Sequence, residues 1–134
     1  MLFIIPIESV PWKRTGGSGR RRFTDPRYGA FKNNLAMRVR AHKECPKRPL
    51  QGPVVVEIRI HVPMPVSWSK KKREAMFGNP CTSHQKGDWD NLGKAVSDSL
   101  NGIVWQDDIQ IWDGRTVKVW SREAKIFINV NETK

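Results

Sequence analysis

Residues 54 to 62 alternate along their whole length. Val54, Val56, Ile58, Ile60 and Val62 fall on one side, with Val55, Glu57, Arg59 and His61 between them. A period of two over nine residues describes a strand with one face buried and the other, which carries His61, largely polar. This stretch commits the chain to a sheet, and every other apolar pattern in it must find a place against that sheet. Pro63 and Pro65 end the strand, because proline cannot donate to a ladder.

The remaining elements fall around it. Leu2 to Ile7 is β-rich and bounded by turn residues, which predicts a first strand. Asp25-Pro26 starts a helix with proline in the first turn. From Arg27 to about His42, Phe31, Leu35 and Val39 form an apolar stripe suited to core or dimer interface. Pro46, Pro49 and Gly52 mark Glu44 to Pro53 as loop. Ser67 caps a short basic helix reaching about Phe77. Leu92, Val96 and Leu100 have helical spacing, with Asp90 as N-cap. Ile109 to Trp120 is a strand broken or bulged at Asp113-Gly114, and Lys125 to Val130 is a last strand, hairpin-paired through Ser121 to Ala124. The order β-α-β-α-β-β over 134 residues predicts one small α/β (α+β) domain, a mixed sheet with two main helices packed on it. No sequence rule yields its strand order.

The formal net charge of +11 points to nucleic acid or an anionic surface rather than a neutral ligand. Membrane insertion is disfavoured: the apolar opening, Met1 to Ile7, is too short to span a bilayer and contains Pro6. It also lacks the form of a signal peptide, so a cytoplasmic location is expected.

Against this basic background, six of the seven aspartates lie between Asp88 and Asp113. A cluster of short, hard carboxylates suits Mg²⁺, which takes oxygen ligands and few of them. Asp88 and Asp90 are two apart and leave the same face of an extended segment. Lys94 is one helical turn beyond Asp90. Asp107 and Asp108 follow the turn at Asn101-Gly102, and a returning strand would bring that pair back beside the helix start. Three carboxylates there would hold one or two Mg²⁺ ions against a phosphodiester, with Lys94 steadying charge. Asp90 alone reads as a plain cap and Asp107-Asp108 as a turn; the conjunction is what carries the idea. Asp98 is assigned to the polar helix face and Asp113 to a turn, neither with a role.

Basic residues supply the DNA side. Lys13 and Arg14 lead into a Gly/Ser-rich stretch ending at Arg20, Arg21 and Arg22, so residues 13–24 are expected as a flexible basic loop that orders on DNA, with Trp12 or Phe23 stacking on an opened base. Lys70, Lys71, Lys72 and Arg73 form a second phosphate-contacting element in a basic insertion over residues 67–87, which also holds Lys86. His42, Cys45, Cys81 and His84 would make a zinc site only if two separate loops met, and their spacing fits no familiar zinc module.

At the acidic residues the chain resembles a known family. Asp88-Trp89-Asp90-Asn91-Leu92-Gly93-Lys94, then Asp98, Leu100-Asn101-Gly102 and Trp105-Gln106-Asp107-Asp108-Ile109-Gln110-Ile111, are similar to the signature of the RusA Holliday-junction resolvases. Upstream, Val10-Pro11-Trp12-Lys13-Arg14 and Thr24-Asp25-Pro26-Arg27 resemble phage-type members, and Trp68 to Glu74 resembles an insertion seen before the acidic motif. The resemblance implies a homodimeric endodeoxyribonuclease that needs Mg²⁺, with Mn²⁺ as a substitute, and resolves four-way DNA junctions in recombination and repair. It implies Asp88, Asp90 and Asp108 as metal ligands and Lys94 as the catalytic lysine. Gly87 departs from the pattern, since members usually carry a basic residue or proline there; Lys86 is the neighbouring cation. A non-catalytic DNA-binding protein and a nuclease for flaps or RNA are the alternatives.

Overall fold

The alternating segment is the middle of the sheet. The structure, a computed structural model, describes residues 1–14, 16–18, 21–23 and 25–133, and the side chains of 16–18, 21–23 and 84 lie outside that description. Strand β4 (Val54–Pro63) pairs parallel with β5 (Ile111–Ser121) and antiparallel with β6 (Lys125–Glu132), which in turn holds β1 (Leu2–Ile5). The order is β1-β6-β4-β5. Val54, Val56, Ile58, Ile60 and Val62 are buried, as the alternation predicts, together with Phe3 and Ile5 of β1 and Ile126, Ile128 and Val130 of β6.

Helices α1 (Pro26–Arg40) and α3 (Trp89–Leu100) pack on this inner face and against each other. Asp25 caps α1, its carboxylate accepting from the Arg27 and Tyr28 amides at 3.0 and 3.2 Å. These bonds, the Tyr28 amide above all, and the Lys13 ammonium hold the Asp25 carboxyl below its usual range. The stripe Phe31, Leu35 and Val39, joined by Tyr28, is buried and is therefore core. Because β4 and β5 run parallel, the chain between them must cross back over the sheet; α3 is that crossover. A shorter helix, α2 (Lys70–Met76), precedes it and is capped by Ser69 rather than Ser67. Among the described residues the fold is thus a four-stranded mixed sheet with three helices, an α+β domain.

Several local expectations are corrected. β6 does not form a hairpin with β5; it crosses the end of β4 and fills that strand's free edge. Its buried Ile126, Ile128 and Val130 suit an internal position, whereas Trp112 to Arg115 of β5 are exposed, as an edge strand allows. The bulge lies at Trp112, skipped between the pairs Val54–Ile111 and Val55–Asp113, and not at Asp113-Gly114. Within the stretch expected as a flexible loop, Gly16–Ser18 (β2) and Arg21–Phe23 (β3) pair as short antiparallel strands. The N-cap of α3 is Asp88, two residues before the predicted Asp90.

Gly87, the departure from the family pattern, is required by its backbone. Its φ is +94°, and a Cβ there would sit 3.2 Å from Pro11 and from Leu92. Gly87→Ala is expected to cost about 1–3 kcal/mol from the left-handed backbone alone, read as a lowered denaturant midpoint. An unchanged midpoint would mean that the turn relaxes freely.

Candidate active site

The start of α3 is held by three backbone anchors. The Trp12 amide donates to the Asn91 carbonyl at 2.9 Å, the Lys118 ammonium donates to the Gly87 carbonyl at 2.9 Å, and the Trp89 indole N–H donates to the Thr116 carbonyl. Gly93 lets the helix lie directly on β5, since a Cβ there would come 2.4 Å from the Thr116 hydroxyl oxygen. With Leu92, Ala95, Val96, Ser99 and Leu100 buried, the acidic and basic side chains of the helix are left towards solvent.

Asp88 stands at the N-cap with an extended backbone, yet its side chain makes no capping bond. Such a bond is typically worth about 1 kcal/mol, so both carboxylate oxygens are left available for another partner. Asp90, in the first turn, accepts from the Asn91 amide at 2.9 Å and is exposed. The Lys94 ammonium lies 5.0 Å from the centre of the Trp12 ring. Trp12 is half-buried beneath that cation, and this restricts the stacking role expected for it.

After α3 the chain turns at Gly102, whose φ is +76°. Trp105 is fully buried, and its indole N–H donates to the Asn101 side chain at 2.8 Å. The Leu50 amide donates to the Val104 carbonyl, and the Gln106 amide to the Leu50 carbonyl. Gln110 donates to the Leu50 and Gly52 carbonyls at 2.8 Å each. This clamp fixes a single 3₁₀ turn, Asp108–Gln110. Asp107 caps it, accepting from the Ile109 amide at 3.0 Å while its own amide donates to Gln110 at 2.8 Å. Asp108 is left half-buried with no cap to serve. Burial, the hydrogen-bonded Asp107 carboxyl and the Asp98 charge push its pKa up, and Lys94 opposes them.

The structure therefore brings Asp107, Asp108, Asp98 and Lys94 into one electrostatic neighbourhood. Asp88 and Asp90 stand at the helix start and are not among the groups that perturb Asp108. Asp98 is one of the two aspartates to which the sequence assigned no role. Its carboxylate accepts from the Tyr28 hydroxyl at 3.4 Å, and burial followed by the Asp98 charge drives the Tyr28 pKa well up. The signal was present in the spacing: Asp90, Lys94 and Asp98 recur every four residues along one side of the helix.

Among the described residues no three His, Cys, Asp or Glu side chains form a cluster that would hold an ion by themselves. The donor chemistry still fits Mg²⁺. That ion keeps several waters and takes only one or two carboxylates plus substrate phosphate. A crowded carboxylate whose pKa is pushed up, as at Asp108, is what a divalent cation relieves. The zinc candidates are occupied locally: His42 accepts from the Glu44 amide at 3.1 Å and meets Phe3 edge-on. Cys45 is half-buried and Cys81 buried, both as free thiols, and the His84 side chain lies outside the described residues.

Lys13 and Arg14 are exposed, with Lys13 3.5 Å from Asp25. Lys70, Lys71 and Lys72 are exposed on α2, Lys72 lying 4.3 Å from the centre of the Trp68 ring. Arg73 donates to the Pro65 carbonyl at 3.0 Å. Lys86 is half-buried. Arg20 lies outside the described residues, as do the side chains of Arg21 and Arg22. No helix among the described residues is long and apolar enough to cross a membrane.

Comparison with known proteins adds two findings. YqaN of Bacillus subtilis (strain 168), an uncharacterised protein, is 32% identical over 136 residues, covering 97% of this chain and 94% of its own length. The family model for endodeoxyribonuclease RusA matches residues 6–131, nearly the whole chain and every acid described above. The chain belongs to the RusA family of Holliday-junction-resolving endonucleases and is an endodeoxyribonuclease, a hydrolase acting on DNA.

Proposed function

We propose that this chain resolves four-way DNA junctions by paired, symmetric, Mg²⁺-dependent nicks, acting as a homodimer in the cytoplasm during recombination and repair. The observation that carries this is the Asp108 carboxylate, crowded by Asp107 and Asp98 and faced by Lys94 in a chain of net charge +11. So many carboxylates on the DNA-cutting surface of a cationic protein would repel substrate unless a cation lay between them and the phosphate.

Asp88, Asp90 and Asp108 are the proposed ligands of the metal, with Mn²⁺ as a substitute for Mg²⁺. When bound, the ion would polarise the phosphodiester and lower the pKa of an attacking water. The chain's own side chains do the rest. Asp88 offers a carboxylate that no cap consumes. Asp107 uses one carboxylate oxygen in capping its own turn, which favours Asp108 as the ligand of the pair. Lys94, steadied over Trp12, supplies positive charge to the phosphate oxygens as negative charge builds on them. Asp98, held by Tyr28, sets a negative charge close enough to act on Asp108, against the positive charge of Lys94. Lys13, Arg14, Arg20, Arg21, Arg22, Lys86 and the α2 cations Lys70, Lys71, Lys72 and Arg73 contact the phosphate backbone of the arms. A junction has near two-fold symmetry and needs two nicks, which a two-fold dimer supplies with one site per protomer.

The test is a comparison of end-labelled four-way junction with matching linear duplex, in Mg²⁺ and in EDTA. Symmetric nicks on the junction alone, lost in EDTA, are expected. Equal cutting of the linear duplex would overturn junction selectivity, and nicks that persist in EDTA would overturn the metal's role.

A further inference from the structure

Among the described residues, helices cover one face of the sheet and not the other. On the other, register places Glu57 between Arg115 and Asn129, Arg59 between Val117 and Phe127, and Ile4 beside Phe127. Leu2 and Ile4 are each 46% exposed there. At the end near the start of β5 stands Trp112, 62% exposed, its indole N–H donating to the Thr133 hydroxyl at 3.1 Å, so the ring is tethered but uncovered. At the opposite end lies a hollow of about 340 Å³, lined in part by His61, Phe77, Arg122 and Phe127. Arg122 sits 4.7 Å from the centre of the Phe77 ring and forms one wall.

The charge of this face separates protein from DNA as its occupant. α2 carries four cations and one acid, the single-sign pattern that suits a phosphate backbone. The uncovered sheet face instead mixes signs, Glu57, Asp113 and Glu123 against Arg59, Arg115, Arg122 and Lys125, amid apolar side chains. On a chain of net charge +11, a nearly balanced, partly apolar surface fits a protein partner.

The layout is also self-complementary. Glu57 and Arg59 flank Ile58 on the same side of β4. A two-fold axis parallel to the sheet and crossing β4 at Ile58 sets each Glu57 opposite the other copy's Arg59. The same rotation carries Trp112 of one copy over the hollow of the other, because knob and hollow lie on opposite sides of Ile58 at similar distances. Trp112 sits opposite the Val54–Val55 step and His61 three residues the other way, each roughly 10–12 Å along the strand at ~3.3 Å per residue. A two-fold contact requires such a match of one patch with itself, and stacked sheets at about 10 Å accommodate it.

We propose that the uncovered face of the sheet is the docking surface for a second copy of this chain, with Trp112 seated in the hollow beside Phe77 and Glu57 facing Arg59 across the axis. This rests on the homodimer proposed above and assigns its interface.

Sedimentation equilibrium at micromolar concentration tests it on the full chain, alongside Arg59→Glu, Trp112→Ala and the exchange Glu57→Arg with Arg59→Glu, each checked for native circular dichroism. The unaltered protein is expected to be dimeric. Arg59→Glu and Trp112→Ala should each raise the dimer dissociation constant at least tenfold, and the double exchange should restore association relative to Arg59→Glu. A monomeric unaltered protein, with and without junction DNA, would overturn the homodimer itself. A dimer indifferent to Arg59→Glu and Trp112→Ala would overturn this interface and leave the homodimer standing. Weaker junction binding by Arg59→Glu with unchanged association would assign the face to DNA instead. Failure of the double exchange to recover would overturn the Glu57–Arg59 pairing.

Discussion

Asp90→Asn is expected to abolish junction cleavage, by at least about 10²–10³-fold as for the loss of one transition-state charge contact, while junction binding stays intact or tightens. Asparagine keeps the shape of the side chain and an oxygen to accept from the Asn91 amide, so the first turn of α3 persists. It removes one negative charge from a basic chain that acts on DNA, which favours binding, and, on the proposed ligand set, it takes away a hard anionic ligand, which disfavours the metal. Single-turnover cleavage and a gel-shift titration on the same junction separate the two effects. Cleavage within a few-fold of the unaltered protein would remove Asp90 from the metal site. A parallel loss of binding and cleavage would indicate a misfolded helix start instead.

Trp105→Ala is expected to be the most destabilising single change near the site, costing about 3–5 kcal/mol out of a total of roughly 5–15 kcal/mol for a domain of this kind. Trp105 is fully buried, and its indole also satisfies Asn101 at 2.8 Å. Truncation leaves a cavity and removes the indole bond to Asn101 in the turn that presents Asp108. Thermal unfolding should show the midpoint falling by roughly 10–20 °C, and activity below that midpoint should fall too as the clamp around Leu50 loosens. Trp105→Phe, which keeps most of the apolar volume but not the N–H, should lose less. A midpoint unmoved by Trp105→Ala would mean that the turn is held by Gln110 and Leu50 alone.

The parts of this protein that are periodic over a few residues were legible in its sequence. The alternation of residues 54–62 gave the central strand and its buried face. The stripe of Phe31, Leu35 and Val39 and the spacing of Leu92, Val96 and Leu100 gave the two long helices. The concentration of aspartates within a basic chain pointed to metal-assisted chemistry on a polyanion. Each of these is local: which face is buried follows from side-chain spacing, and which ion a carboxylate prefers follows from its own hardness.

Pairings between distant segments were decided by the tertiary structure. β6 lies between β1 and β4 instead of beside β5, because β4 had a second edge to fill and β6 carried the apolar side chains to fill it. Because α1 and α3 pack on the same side of the sheet and on each other, the other face carries no helix among the described residues, which no stretch of sequence announces. Asp98, plain on its own helix, gained neighbours only when Tyr28 of α1 met its carboxylate and the Leu50 clamp set Asp108 nearby. Contacts across 70 residues, such as Tyr28 to Asp98, depend on how layers pack and not on the pattern within either segment, so periodicity specifies the faces while packing specifies what they meet.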